Sequence, residues 1–350
     1  MRSTRHRTTR TGVVGLAVAA LAATAFTVPS QASSGGNGGN GGNGGTGQTA
    51  GRPAGHEETR KALDAVVRDG IPGVTSQARE GRSVWKGAAG VGDLSTGAPR
   101  GADDRFRIAG ITKTFVATVM LQLETERRLD LDDTVESWLP GVVRGHGHDG
   151  RQITVRQLLN HTSGVFDFLN DPAYEQKYLL DFLKNRYRTR TPQEAVNAAM
   201  AHPPTFAPGT EYAYSNTNYV LAALIMERVT GNTYEHEVRT RIVKPLGLRA
   251  TVLPGNSSLM PKPSSRAYSK IGETDDGAKI YDITHQNASQ TWAEGDMISS
   301  AGDLTRFSSA LMRGELLAPK QLKAGRRGGW AAAGQWVSRV GLRAPSRRPG

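Results

Sequence analysis

Lys113 is where chemistry could start, because it stands at the head of an apolar helical stripe in the stretch FRIAGITKTF, Phe106 to Phe115. A buried lysine can take the proton of a hydroxyl when burial lowers its pKa, and a serine three residues earlier on a helix lies one turn away on the same face. Such a pair would build an acyl-transfer site. Position 110, where the serine should stand, is a glycine.

Other hydroxyls could be asked to take its place. Ser83 and Lys86 share the spacing, but they fall in a segment patterned as a hairpin, where alternation sends them to opposite faces. Ser163 lies close to His161 in HTSG, yet near neighbours in a turn seldom form a proton relay. Thr112 comes two residues late, about 200° around a helix from position 110. None of the three is expected to serve. His146, His148 and Asp149 in RGHGHDG could suggest a metal, but their glycine neighbours and the strand-like RQITV that follows read as a polar loop. No metal is expected. GNGGNGG lacks the lysine and following helix of a phosphate loop.

The elements that must position Lys113 can be read from periodicity. EETRKALDAVVRDG puts Leu63, Val66 and Val67 on one helical face and stops at Gly70. The glycine-punctuated segment from Ile71 to Gly97 reads as a hairpin. From Ile111, Phe115, Val119 and Leu123 form an apolar stripe, with Val116 and Met120 beside them. Residues 154 to 230 read as mostly helical. Their clearest helix is SNTNYVLAALIMERVTGN, closed by Gly231. No repeat of 20 to 50 residues is visible.

The ends differ from the body. Residues 1–32 hold four arginines and no acid ahead of an apolar run from Val13 to Val28, and Ser30-Gln31-Ala32 suits cleavage after Ala32. A signal peptide over 1–32 and a secreted protein are the expectation, with cell-wall association left open and membrane contact only through that peptide. Residues 33–55 form a Gly/Asn-rich flexible linker. The folded domain is expected over 56–322, and 323–350 reads as a basic, disordered tail. The two ends supply eleven of the twelve net positive charges, so the body is nearly neutral and no nucleic-acid partner is expected. With no cysteine, an exported domain must rely on its core.

Four stretches in order, FRIAGITKTF, LLNHTSG, YSNTNY and WAEGDMISSAGDLTRF, resemble the landmarks of secreted serine D-alanyl-D-alanine carboxypeptidases and of β-lactamase-type hydrolases and esterases. The resemblance runs from about residue 56 to 322. It implies an α/β (α+β) fold in which an antiparallel sheet flanked by helices faces a mostly helical lobe, with the site in the cleft between. It implies a serine at position 110, degenerate here as Gly110, with Lys113 as proton acceptor and Tyr214 as a second proton-transfer group. Asn216 would hold the substrate amide. No cofactor is implied. The partner would be a peptidoglycan stem peptide or a β-lactam-like small molecule, met by a monomer. The family's H-T-G or K-T-G strand is not found, and the C-terminal strands are expected to be missing, with an abrupt Arg/Gly/Ala composition after Leu322 that resembles out-of-frame translation. Impaired or absent catalysis is the expectation, with β-lactamase or ester hydrolysis and a peptide-binding pseudoenzyme as alternatives.

Overall fold

The stripe that begins at Ile111 becomes the centre of the molecule. The computed structural model describes residues 56–271, 273 and 277–327. Its elements run α1 (Glu57–Arg68), β1 (Gly73–Glu80), β2 (Ser83–Gly90), β3 (Phe106–Arg107), α2 (Thr112–Thr125), α3 (Val135–Trp138), β4 (Arg144–Gly145), β5 (His148–Asp149), α4 (Val155–Leu159), α5 (Pro172–Glu175), α6 (Phe182–Asn185) and α7 (Pro192–Met200). They continue with α8 (Asn216–Thr230), α9 (Tyr234–Val238), β6 (Tyr268–Ser269), β7 (Tyr281–Asp282), β8 (Ile298–Ser299), α10 (Ala301–Arg313) and α11 (Pro319–Arg327).

Every residue of α2 from Thr112 to Leu121 is buried, and so is Leu123. A helix buried all round must be wrapped on every side. Its main counterpart is α8, itself buried from Asn216 to Ala223. The two pack together, α8 also meets α4 and α7, and α2 also meets α9. From the other side Phe307 of α10 stacks on Phe115, with ring centroids 3.8 Å apart, adding aromatic packing to area burial. Helix α8 stops at Gly231, whose φ of 74° is a conformation that glycine enters at little cost.

The predicted hairpin is β1 and β2, joined at Gly81-Arg82 with Glu80 opposite Ser83 and Gly73 opposite Gly90. Helix α1 lies on it and buries Leu63. All strand pairs are antiparallel, as expected, but among the described residues they form four two-stranded ribbons instead of one sheet. RQITV is not a strand. Thr154 caps α4 in a reciprocal capping box with Gln157, which satisfies helix-end groups that a strand would not possess. The boundary placed at Leu322 falls inside α11, which is helical to Arg327. Residues 1–32 and 33–55, where a signal peptide and a linker are expected, and the remainder of the tail from 328 lie outside the described residues. Among those described, no helix is long and apolar enough to cross a membrane.

Candidate active site

Position 110 sits in a 3-10 turn, Ala109–Ile111, that runs directly into α2. Ala109 has φ 44°, a conformation that costs energy for any residue with a Cβ. The neighbouring strand pairing holds it there, with Ile108 N–H donating to the Met297 carbonyl at 2.9 Å. A Cβ placed on Gly110 would stand 3.0 Å from Tyr214 Oη and 4.0 Å from Lys113 Nζ. The backbone therefore aims position 110 at Tyr214 Oη and Lys113 Nζ, although its own side chain is a hydrogen atom.

Lys113 is only 1% exposed. Its ammonium donates to Asn216 Oδ1 at 2.7 Å, to the Glu294 carbonyl at 2.7 Å and to Glu294 Oε2 at 3.1 Å. Those three bonds use its three donors. Asn216, also buried, donates from Nδ2 to Asp167 Oδ2 at 2.9 Å. The resemblance gives Asn216 a substrate contact; in this structure both ends of its amide are engaged by protein, and it orients Lys113.

Tyr214 is 43% exposed, yet its hydroxyl end faces position 110. Its ring stacks on His161 with centroids 4.5 Å apart, and Lys113 Nζ lies 4.9 Å from the ring centroid. His161 Nδ1 accepts the Ser215 N–H at 3.2 Å, which places the neutral ring's proton on Nε2. His161 thus forms the floor beneath Tyr214.

Charge decides what these groups can do. Burial works against the Lys113 ammonium, but the Glu294 carboxylate and Tyr214 outweigh it and raise the lysine's pKa. Burial raises Tyr214 as well, and the nearby ammonium offsets only part of this. Both groups therefore hold their protons at neutral pH. Burial, followed by repulsion from Lys113, lowers His161 to about 3 and keeps it neutral. Burial lifts Asp167 to about 6.

The other hydroxyls are accounted for. Ser163 is buried and donates to Asn218 Oδ1 at 2.6 Å, a bracing role. Thr112 Oγ1 accepts the Met297 N–H at 3.3 Å, inside the core. Lys86 pairs with Asp103 at 2.5 Å, whereas Ser83 is exposed. In the RGHGHDG loop, His146 Nδ1 meets the Met200 carbonyl at 2.8 Å and Asp149 pairs with Arg151. No group of possible metal ligands exists among the described residues. The structure thus brings together Gly110, Lys113, Tyr214 and Asn216 and adds three residues that sequence reasoning left unassigned: His161, Asp167 and Glu294. His161 and Glu294 lie within quoted landmarks, and a buried lysine demands a nearby carboxylate.

A position for a hydroxyl at a helix start, a lysine one turn on and a tyrosine facing both is the machinery of a serine acyl-transfer hydrolase. The chain belongs to the beta-lactamase family, whose sequence model matches residues 57–342 and so extends past Leu322. It is 25% identical to penicillin-binding protein 4 of Amycolatopsis lactamdurans, over 73% of this chain and 64% of that protein. It is 33% identical to esterase EstB of Burkholderia gladioli, over 51% of this chain and 46% of that protein. The chain thus spans about half to two-thirds of these relatives' own lengths. Among solved structures, a D-stereospecific amidohydrolase from Streptomyces sp. is 53% identical, covering 77% of this chain and 76% of its own, with a TM-score of 0.72. A D-amino acid amidase from Ochrobactrum anthropi, complexed with D-phenylalanine, is 31% identical over 75% of this chain and 72% of its own, with a TM-score of 0.64.

Proposed function

We propose that this chain binds amides of D-configured amino acids in the Gly110 cleft, and that its turnover is impaired because the acyl-accepting hydroxyl is absent. The observation that carries this reading is the aim of position 110, 3.0 Å and 4.0 Å from Tyr214 Oη and Lys113 Nζ at its built Cβ. The 53% identity to a D-stereospecific amidohydrolase supports the substrate class. Tyr212 and Tyr214, both exposed and both packed against the His161 ring, offer an aromatic surface near position 110 to an apolar substrate side chain. A peptidoglycan stem peptide ending in D-Ala-D-Ala is one such amide, and export through the N-terminal segment would bring the protein to it.

With a serine present, Oγ would bond to the amide carbon, the amine would leave with a proton, and water would release the acid. With Gly110 the first bond has no donor. The test has two arms. Incubated with fluorescent penicillin, the protein should show no covalent adduct by intact mass; an adduct on any serine would overturn the impairment. Gly110→Ser should release ammonia from D-phenylalanine amide in preference to the L form; an L preference would overturn the substrate class.

A further inference from the structure

An amino acid amide with a free amine carries one positive charge, on a nitrogen two bonds from the carbonyl carbon that a nucleophile at position 110 would attack. Taken out of water, that ammonium needs a carboxylate and acceptors for its three N–H donors. The acids near Lys113 differ in what already holds them. Glu294 is buried and ion-paired with the lysine. Asp296 is buried and accepts the Tyr234 hydroxyl. Asp171 pairs with His202. Asp167 is both partly exposed and, among the described residues, outside every ion pair.

Asp167 stands one side chain away from the lysine. Asn216 spans the two, donating from Nδ2 to Asp167 Oδ2 at 2.9 Å while its Oδ1 accepts from Lys113 Nζ at 2.7 Å. Asp167 Oδ1 accepts the Leu169 N–H at 3.2 Å. A carboxylate offers roughly four acceptor positions, so these two neutral donors leave about half of them for a ligand. Burial raises Asp167 to about 6, and Lys113 and Glu294 act on it with opposite sign, so it is ionised at neutral pH. The charges of the site then do not cancel. Lys113 is offset by Glu294, Tyr214 and His161 are uncharged, and the Asp167 carboxylate remains. That single negative charge matches a single ammonium.

On the reading that the cleft takes D-amino acid amides, we propose that Asp167 receives the substrate's α-ammonium, so that the site selects amides with a free α-amine over those whose nitrogen is acylated. An acylated nitrogen, as in a stem peptide, is uncharged and offers one N–H, which leaves the carboxylate unmatched. Stereochemistry and amine recognition are then separate demands, one set by the walls of the cleft and the other by Asp167.

The test uses the full chain at neutral pH, where an α-amine, titrating at about 7.7, is largely protonated. D-phenylalanine amide, its N-acetyl derivative and phenylpropanamide, which has hydrogen in place of the amine, are titrated by calorimetry. Loss of the ammonium should weaken binding roughly 10- to 100-fold in both altered ligands, the worth of a hydrogen bond to a charged group. Asp167→Asn should bring D-phenylalanine amide and phenylpropanamide to nearly equal affinity. An Asp167 that only braces Asn216 would instead weaken both ligands alike and leave their ratio unchanged. That result, or phenylpropanamide binding the unmutated protein as tightly as D-phenylalanine amide, would overturn the proposal and leave the D-amide reading standing. The ligand comparison on the unmutated protein decides the matter even if the variant misfolds. If neither D-phenylalanine amide nor phenylpropanamide binds, the D-amide reading itself fails and the role of Asp167 falls with it.

Discussion

Gly110→Ser tests whether the site lacks one side chain or more. The new Cβ would approach Tyr214 Oη to 3.0 Å, so the tyrosine must give by a few tenths of an ångström. Its ring is 43% exposed, which leaves it room to do so. Replacing glycine in a helical turn recovers about 0.5–1 kcal/mol of backbone entropy, and a buried methylene adds about 0.8 kcal/mol. An off-rotamer adjustment of the tyrosine costs about 0.5–1.5 kcal/mol. Net stability should therefore stay level or rise by about 1 kcal/mol. Gly110→Ala carries the same Cβ, so any further difference between the two variants belongs to the hydroxyl.

The rate follows from the proton positions. Losing a serine nucleophile can cost on the order of 10⁶ in kcat, so the serine variant has much to regain. Lys113 and Tyr214, however, both hold their protons at neutral pH, and a general base is worth about 10²–10⁴. Acylation by fluorescent penicillin should exceed that of Gly110→Ala by at least ~10² and increase steadily with pH above neutrality. Stopped-time labelling with intact mass at several pH values reads both features. A pH-independent rate would refute the assignment of an ammonium at Lys113. Labelling of Gly110→Ala equal to that of the serine variant would refute position 110 as the nucleophile site.

Other outcomes follow from the same contacts. Adding Glu294→Gln to Gly110→Ser should speed neutral-pH acylation, because the lysine loses the carboxylate that holds its proton, while lowering stability by roughly 3 kcal/mol in thermal unfolding. His161 titrates at about 3 when folded, against an ordinary value of 6.5. The stability it contributes is present above pH 6.5 and lost on acidification toward 3, about 5 kcal/mol in all, so His161→Asn should flatten that limb. Asp167 lies at about 6, against 3.8. Its contribution has the opposite sign, present below pH 3.8 and lost as pH rises through 6, on the order of 3 kcal/mol, so Asp167→Asn should leave the protein more sensitive to acid. Amides from Val74 to Val91 should exchange faster than those from Tyr219 to Val229, since β2 is largely exposed and α8 is buried; equal protection would mean that the hairpin is covered.

The helices were legible where periodicity and an end signal coincided. Helix α8 had both an apolar run and Gly231, and α1 had its stripe and Gly70. The hairpin was legible from its glycines. The ribbon formed by β3 and β8 was not, because two residues on each side leave no alternation to detect, and their partners lie nearly two hundred positions apart. RQITV shows two local rules in conflict. Its β-branched residues favour a strand, but Thr154 and Gln157 have the spacing of a capping box, and the helix end has the larger need for partners.

The site was legible as positions and much less so as charge states. Lys113, Tyr214 and Asn216 could be located from ordered landmarks, whereas the partner of the lysine could not, since Glu294 lies 181 residues away and spacing does not say which side chains are buried together. Burial supplies the missing step. A lysine 1% exposed cannot remain charged without a carboxylate, and Glu294, itself almost fully buried, meets it at 3.1 Å. The pair is then satisfied internally and contributes to the fold whether or not a serine stands at position 110. Persistence of Lys113 is therefore no sign that catalysis persists, and Lys113→Met separates the two roles. Its raised pKa makes the pair's stabilisation complete below the lysine's ordinary titration range and lost as pH rises through the folded value. Lys113→Met should remove that alkaline limb of the stability curve in the Gly110 protein, read by chemical unfolding across pH.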